Sequence, residues 1–196
     1  MTHVVTVCGS LSSRSSNRAA LDVVTATLRS AGATVDDFER LAEIPAFDPD
    51  REEEPIDVLA DWRRRLAAAD AVVVAVPEYA GAVAGAVKNA FDWTVGGADV
   101  YRRPLAVISA GTSGGPFARQ MMVQTLTWQG AHVVAELGIA APRTKSDADG
   151  LLTDPPTIAA LEALAATVLW APSADDLTAT VAAVLVRFGI DPARIA

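Results

Sequence analysis

Ala71-Val72-Val73-Val74-Ala75-Val76-Pro77-Glu78-Tyr79-Ala80-Gly81 is the stretch from which the rest of this chain can be read. Its first six residues form an unbroken apolar run, long enough for a buried strand and too short for a helix. Proline and glycine then end the run and shape a loop. A loop at the carboxyl end of a buried parallel strand is where open α/β sheets bind their ligands. Tyr79 gives this loop a flat face with a polar tip, suited to lie against a planar molecule. Taken alone, the segment also fits an ordinary strand-to-helix turn.

Outward from it, strand and helix patterns alternate. Upstream, residues 3–8 are a short β-rich run closed by Gly9. Residues 17–30 carry Ala20, Leu21, Val24 and Leu28 at helical spacing, and Gly32 follows their end, as helix stops prefer. Residues 34–39 read as a polar strand suited to a sheet edge, and 43–55 as a loop holding the acidic run Glu52-Glu53-Glu54. Pro55 can open a helix over 56–69, with Leu59, Trp62 and Leu66 on one face. Downstream come a helix through Val83, Val87, Ala90 and Phe91, a strand at 104–109, and a helix over 116–129 that stops at Gly130. A fifth strand at 132–137, a polar loop over 138–156 and a helix marked by Ile158, Leu161, Ala165, Val168 and Leu169 complete the alternation.

Five strands interleaved with helices predict an α/β fold, a parallel sheet covered on both faces. Right-handed crossovers leave few windings, and the flavodoxin-like strand order 2-1-3-4-5 is the natural one, with its crevice above strands one and three. Leu177, Val181, Val184, Leu185 and Phe188 mark an extra amphipathic helix over 174–188. Residues 1–172 are therefore read as the domain and 173–196 as its helical extension.

Composition excludes several classes. The chain has 196 residues, enough for one sizeable core, and a net charge of −8. No basic stripe is present for general nucleic-acid binding. A single cysteine, Cys8, rules out an intramolecular disulfide framework and fits a reducing compartment. The amino terminus enters its strand after two residues, leaving no room for a signal peptide, and no apolar run approaches the roughly 20 residues of a membrane span. A cytoplasmic protein is expected. One cysteine and two scattered histidines, His3 and His132, give no metal-ligand spacing.

The end of the first strand is the second unusual place. Gly9-Ser10-Leu11-Ser12-Ser13-Arg14-Ser15-Ser16-Asn17 sets hydroxyls, a guanidinium and an amide immediately before a helix, where backbone N–H groups are also free. That combination suits a phosphate monoester. It also fits a solvated turn with Ser16 or Asn17 as the helix N-cap. The loop lacks the lysine of nucleoside triphosphatase loops and the glycine spacing of dinucleotide folds. FMN carries one terminal phosphate and, at its far end, a planar ring. The loops at 9–17, 77–81 and 111–115 would then hold the phosphate and the two edges of the ring.

Gly9-Ser10, Ser15 and Asn17, followed by Pro77-Glu78-Tyr79, Gly81, Gly85, Lys88-Asn89 and Asp92-Trp93, resemble the NADPH-dependent FMN reductase family. That resemblance covers residues 3–170 and implies a flavodoxin-like quinone, chromate or azo-dye reductase. It implies bound FMN, NAD(P)H as hydride donor, a small acceptor, and dimers or tetramers with the flavin near a subunit interface. Ser10, Ser15 and Asn17 are expected on this basis to hold the phosphate, and the reading of the loop itself adds Ser12, Arg14 and Ser16 as cofactor-binding residues. Pro77, Glu78, Tyr79, Ala80 and Gly81 would line the ring on one side, and Gly111, Thr112, Ser113 and Gly114 on the other. The chain departs from the family pattern at Ser12, where arginine is usual, at Ala80, where asparagine is frequent, and at Ala84, where proline is usual.

Hydride passes through flavin N5, so no protein nucleophile, acid or base is nominated. A flavin reductase serving a monooxygenase and a flavodoxin-like electron carrier are the alternatives. Cys8 reads as a small hydrophobe, and Glu78 as facing the flavin or a neighbouring subunit, or as hydrogen-bonded in its own loop. Lys88 and Asp92 read as a helix-surface pair, and Arg102, Arg103 and Arg119 as candidates for an NADPH phosphate.

Overall fold

In the computed structural model, which describes residues 1–194, five parallel strands form one sheet. They are β1 (His3–Cys8), β2 (Thr34–Asp37), β3 (Ala71–Ala75), β6 (Pro104–Gly111) and β7 (His132–Ala140). A separate hairpin joins β4 (Glu78–Tyr79) to β5 (Ala82–Val83). The sheet order is β2-β1-β3-β6-β7, which is 2-1-3-4-5 when its own strands are counted. The chain therefore reverses direction across the sheet between β1 and β3, as the expected flavodoxin-like order requires.

Successive residues of each central strand point into opposite helical layers. Val5, Val7, Val72, Val74, Leu105 and Val107 face a core built with α2 (Asp57–Ala68), α3 (Gly85–Asp92) and α4 (Pro116–Trp128). Val4, Val73, Ala106 and Ile108 face the core built with α1 (Ser16–Ser30) and α5 (Pro155–Trp170). Because both faces are buried, these strands appear in the sequence as continuous apolar runs. Trp62 anchors the first layer: its ring lies 4.7 Å from Phe38 and 5.5 Å from Phe91, and its indole N–H donates to the Ala90 carbonyl at 3.0 Å. The polar edge strand β2 is held by Thr6 and Arg18, whose side chains donate to Asp37 at 3.0 and 2.6 Å.

Several boundaries differ from expectation. The segment after β3 forms a hairpin, so Val83 belongs to β5 and α3 begins only at Gly85. Strands β6 and β7 run to Gly111 and Ala140, because their parallel pairing continues to the Gly111–Ala140 pair. Much of the expected loop at 138–156 is thereby ordered, with a 3-10 turn at Pro142–Lys145. The helix predicted over 56–69 spans 57–68, with Ile56 as its N-cap. The tail helix α6 spans Thr178–Arg187 and sets Val184 and Leu185 into the first core layer.

Candidate functional site

A crevice of about 580 Å³ opens at the carboxyl ends of β1, β3, β6 and β7. It is lined by four loops: residues 10–17, 77–79, 110–112 and 141–144. A larger groove of about 740 Å³ lies around Arg103 and His132, at the amino ends of β6 and β7. The crevice is preferred because it sits where the strand order reverses, the position at which doubly wound sheets bind ligands.

The 10–17 loop leaves β1 at Gly9, whose amide donates to the Ala75 carbonyl at 2.7 Å. A Cβ there would stand 2.9 Å from the Val87 side chain, so only glycine lets α3 pack this closely under the loop. Ser15 is the N-cap of α1 and accepts from the Arg18 amide at 3.3 Å, replacing the expected Ser16 or Asn17. No acidic residue occupies the first turn, so the partial positive charge of the helix end is uncompensated. Ser12 and Arg14 hold the loop through bonds between the Ser12 hydroxyl and the Arg14 backbone at 3.3 Å. Ser10, Ser12, Arg14, Ser15 and Ser16 all line the crevice.

Asn17 lines the crevice as well, and its side chain is also anchored across the sheet. It is buried, its Nδ2 donates to the Ala110 carbonyl at 3.0 Å, and its Oδ1 accepts from the Ala110 amide at 2.9 Å. One Nδ2 hydrogen and the Oδ1 atom are thus engaged, and they tie the start of α1 to the end of β6. Cys8 lies beneath, its Sγ 3.7 Å from the Ser10 carbonyl, and burial pushes its thiol pKa up, which keeps it in the neutral form.

Pro77, Glu78 and Tyr79 line the second wall, with Tyr79 60% exposed. Ala80 and Gly81 form the hairpin turn and are not among the lining residues. Their φ angles of 52° and 72° are those of a type I′ turn, which an alanine adopts at a cost. Glu78 Oε2 accepts from the amides of Phe117 and Ala118 at 2.8 and 2.9 Å. It therefore caps α4, which has no side-chain cap of its own, and fixes the hairpin against the 111–115 loop.

Gly111 and Thr112 line the third wall, and Ser113 and Gly114 continue the same loop without being among its lining residues. Ser113 forms a β-bridge with Ala140, and the Gly114 amide donates to the Gly111 carbonyl at 3.1 Å. A Cβ at Gly111 would meet no protein atom within 4 Å, so that backbone is open to an incoming ligand. A Cβ at Gly115 would fall 2.0 Å from Ser109 Oγ, so this αL position must be glycine.

The fourth wall, Ala141, Pro142, Arg143 and Thr144, is absent from the sequence reading. The Ala141 amide donates to the Gly111 and Thr112 carbonyls at 3.1 and 3.2 Å, clamping this turn onto the third wall. A basic residue and a hydroxyl after a strand's carboxyl end are the available signal, the same one that marks the 10–17 loop. No histidine lines the crevice, and its one carboxylate among the described residues, Glu78, is held by the α4 amides.

The sequence profile of NADPH-dependent FMN reductases matches residues 2–145. The chain belongs to that family. An NAD(P)H-dependent FMN reductase of Pseudomonas aeruginosa is 34% identical over 99 residues, which cover 47% of this chain and 54% of the relative. A quinone reductase of Escherichia coli is 37% identical over 98 residues, covering 46% of this chain and 48% of the relative. These two matches thus span about half the length of each relative. An NAD(P)H:quinone oxidoreductase of Solanum tuberosum is 28% identical over 170 residues, covering 82% of this chain and 88% of its own. Among solved structures, the flavoenzyme NAD(P)H:(acceptor) oxidoreductase FerB of Paracoccus denitrificans superposes with a TM-score of 0.73 at 24% identity, covering 88% of this chain and 98% of its own. Oxidised flavodoxin 1 of Bacillus cereus superposes with a TM-score of 0.61 at 13% identity, covering 86% and 97%. Both show the flavodoxin-like fold.

Within this member of the family, three arginines proposed for a nucleotide phosphate lie elsewhere. Arg102 and Arg103 sit at the amino end of β6, and Arg103 donates to the Ala69 carbonyl. Arg119 faces inward from α4, paired with Glu136 of β7 and donating to the Gly114 carbonyl at 3.0 Å. Lys88 and Asp92 form the expected pair along α3.

Proposed function

We propose that the crevice binds FMN and that the protein is an NAD(P)H-dependent oxidoreductase acting on a quinone-like or other small acceptor. The observation that carries this is the donor set at the α1 end: four serines, Arg14 and an uncompensated helix N-terminus around one opening. That set matches a single phosphate monoester better than a pyrophosphate. The chemistry of the group fits the opening, since its volume of about 580 Å³ lies within the usual range of cofactor pockets, about 300–1,000 Å³.

In this reading Ser10, Ser12, Arg14, Ser15 and Ser16 hold the phosphate, and Asn17 positions them by tying α1 to β6. Pro77 and Tyr79 lie against the ring, and Gly111 and Thr112 meet its polar edge with backbone and hydroxyl groups. Bound FMN would supply hydride acceptance and donation, and the protein orients the two substrates without a side-chain acid or base. Glu78 keeps the ring wall in place through α4.

The same reading makes the protein a cytoplasmic homodimer. No helix among the described residues is long and apolar enough to cross a membrane, and the one cysteine is buried and unpaired. The outward face of α4 carries Phe117, Met121 and Trp128, 56%, 39% and 63% exposed, with Gln120 and Gln124 between them. A face without charge on a protein of net charge −8 suits contact with a second copy. Phe117 also stands beside the 77–81 turn, with its Cδ2 3.9 Å from where a Gly81 Cβ would be, so such a contact would border the crevice.

Two measurements test these points. Anaerobic mixing of the FMN-loaded protein with NADH or NADPH should bleach the flavin, and a quinone should restore its colour. An electron carrier would leave the flavin unbleached by either nucleotide, and that result refutes the reductase assignment. Sedimentation should give a dimer that Met121→Lys dissociates, and a wild-type monomer refutes the α4 interface.

A further inference from the structure

We propose that Arg143, from the turn after β7, is a second cation for the FMN phosphate, opposite Arg14. This inference rests on the reading of the crevice as an FMN site. Arg14 and Arg143 line the same opening, the first from the loop before α1 and the second from the 3-10 turn after β7. Both are exposed, and among the described residues neither guanidinium has a carboxylate or carbonyl partner. The chain's acidic groups outnumber its basic ones by 24 to 16, and arginines elsewhere are mostly paired with them, as Arg18 is with Asp37 and Arg40 with Glu43. An opening that keeps two arginines unpaired is locally positive on an acidic molecule.

The turn is built to hold Arg143 in place. Ala141 adopts φ 47°, a left-handed conformation that costs a non-glycine residue energy. It is held there by its amide bonds to the Gly111 and Thr112 carbonyls. Pro142 is buried behind it, and the Ser146 hydroxyl donates to the Pro142 carbonyl at 3.0 Å. On the far side, the amides of Thr153 and Asp154 donate to the Lys145 carbonyl at 2.8 and 3.2 Å, joining the turn to the cap of α5. Strain kept at one residue and bonds on both flanks present Arg143 and Thr144 to the crevice. A phosphate monoester carries close to two negative charges at neutral pH, which two guanidinium groups balance.

The experiment titrates the apo-protein with FMN and with riboflavin, which lacks the phosphate, following flavin fluorescence. The wild type should bind FMN more tightly than riboflavin. Arg143→Gln should raise the FMN Kd by roughly 10- to 100-fold, the worth of a charge-assisted hydrogen bond, and leave the riboflavin Kd unchanged. Arg143→Lys should recover part of the loss, and the salt dependence of FMN binding should flatten in Arg143→Gln. An FMN Kd within twofold of wild type overturns the proposal. So does an equal loss for both flavins, or a change confined to the KM for NADPH. Failure of the wild type to bind FMN would overturn the cofactor reading itself, which separates the two results.

Discussion

Asn17→Ala tests the scaffolding of the candidate site. The substitution removes one donor and one acceptor from Ala110, whose carbonyl and amide are bonded at 3.0 and 2.9 Å and whose residue is 6% exposed. A buried polar group left without a partner costs about 1–3 kcal/mol. Two such groups, with some water reaching them through the crevice, give an expected loss of about 2–4 kcal/mol. That is a large share of the roughly 5–15 kcal/mol by which domains are stable. With a urea m-value of about 2 kcal/mol/M, the midpoint of unfolding of the apo-protein should fall by about 1–2 M. Asn17→Asp should also destabilise, because it sets a carboxylate oxygen against the Ala110 carbonyl. Protonation restores the donor, so the folded-state pKa of the introduced carboxyl is raised and its deficit relative to wild type should shrink as pH falls. The reasoning is refuted if Asn17→Ala leaves apo-protein stability within about 0.5 kcal/mol of wild type while FMN affinity collapses. That outcome would mean that Asn17 meets the phosphate directly.

Three further outcomes follow from the same structure. Ala80→Asn should stabilise the protein by about 0.5–1 kcal/mol in urea unfolding, because asparagine tolerates the left-handed φ that alanine resists; destabilisation would show that the turn is not type I′. Glu136→Ala should cost about 3–5 kcal/mol, since it strands Arg119 inside the protein, whereas Arg187→Ala, at an exposed side chain 2.8 Å from the same carboxylate, should cost about 0–1 kcal/mol. Equal losses in thermal melts would refute that division. His132 has its pKa lowered by burial and then by Arg102, so the unfolded chain takes up its proton first. Its contribution is therefore complete above the unfolded pKa of about 6.5 and declines as pH falls below it; His132→Gln should flatten the stability profile there, and an unchanged slope would refute the assignment.

The sheet was legible because strands buried on both faces carry apolar residues at every position, as 71–76 does. The serine loop was legible for a related reason: its residue types only make sense together at a helix start. The hairpin at 78–83 was not, since Ala80 gives no local sign of a left-handed turn that tertiary contacts impose. The partner of Asn17, Ala110, lies 93 residues away, and no local pattern points to a backbone bond across that distance. The inward orientation of Arg119 is not legible, because α4 alone does not reveal which of its faces meets β7. The turn carrying Arg143 was hidden inside a polar segment without period, and its order comes from pairing with Gly111 and Thr112.

The absorption spectrum of the purified protein, recorded anaerobically before and after NADPH, tests the central claim most directly. Protein reconstituted with FMN should show the flavin bands near one equivalent per chain, and NADPH should bleach them. Protein that takes up no FMN, or whose flavin is unchanged by NADPH and NADH, would contradict the account.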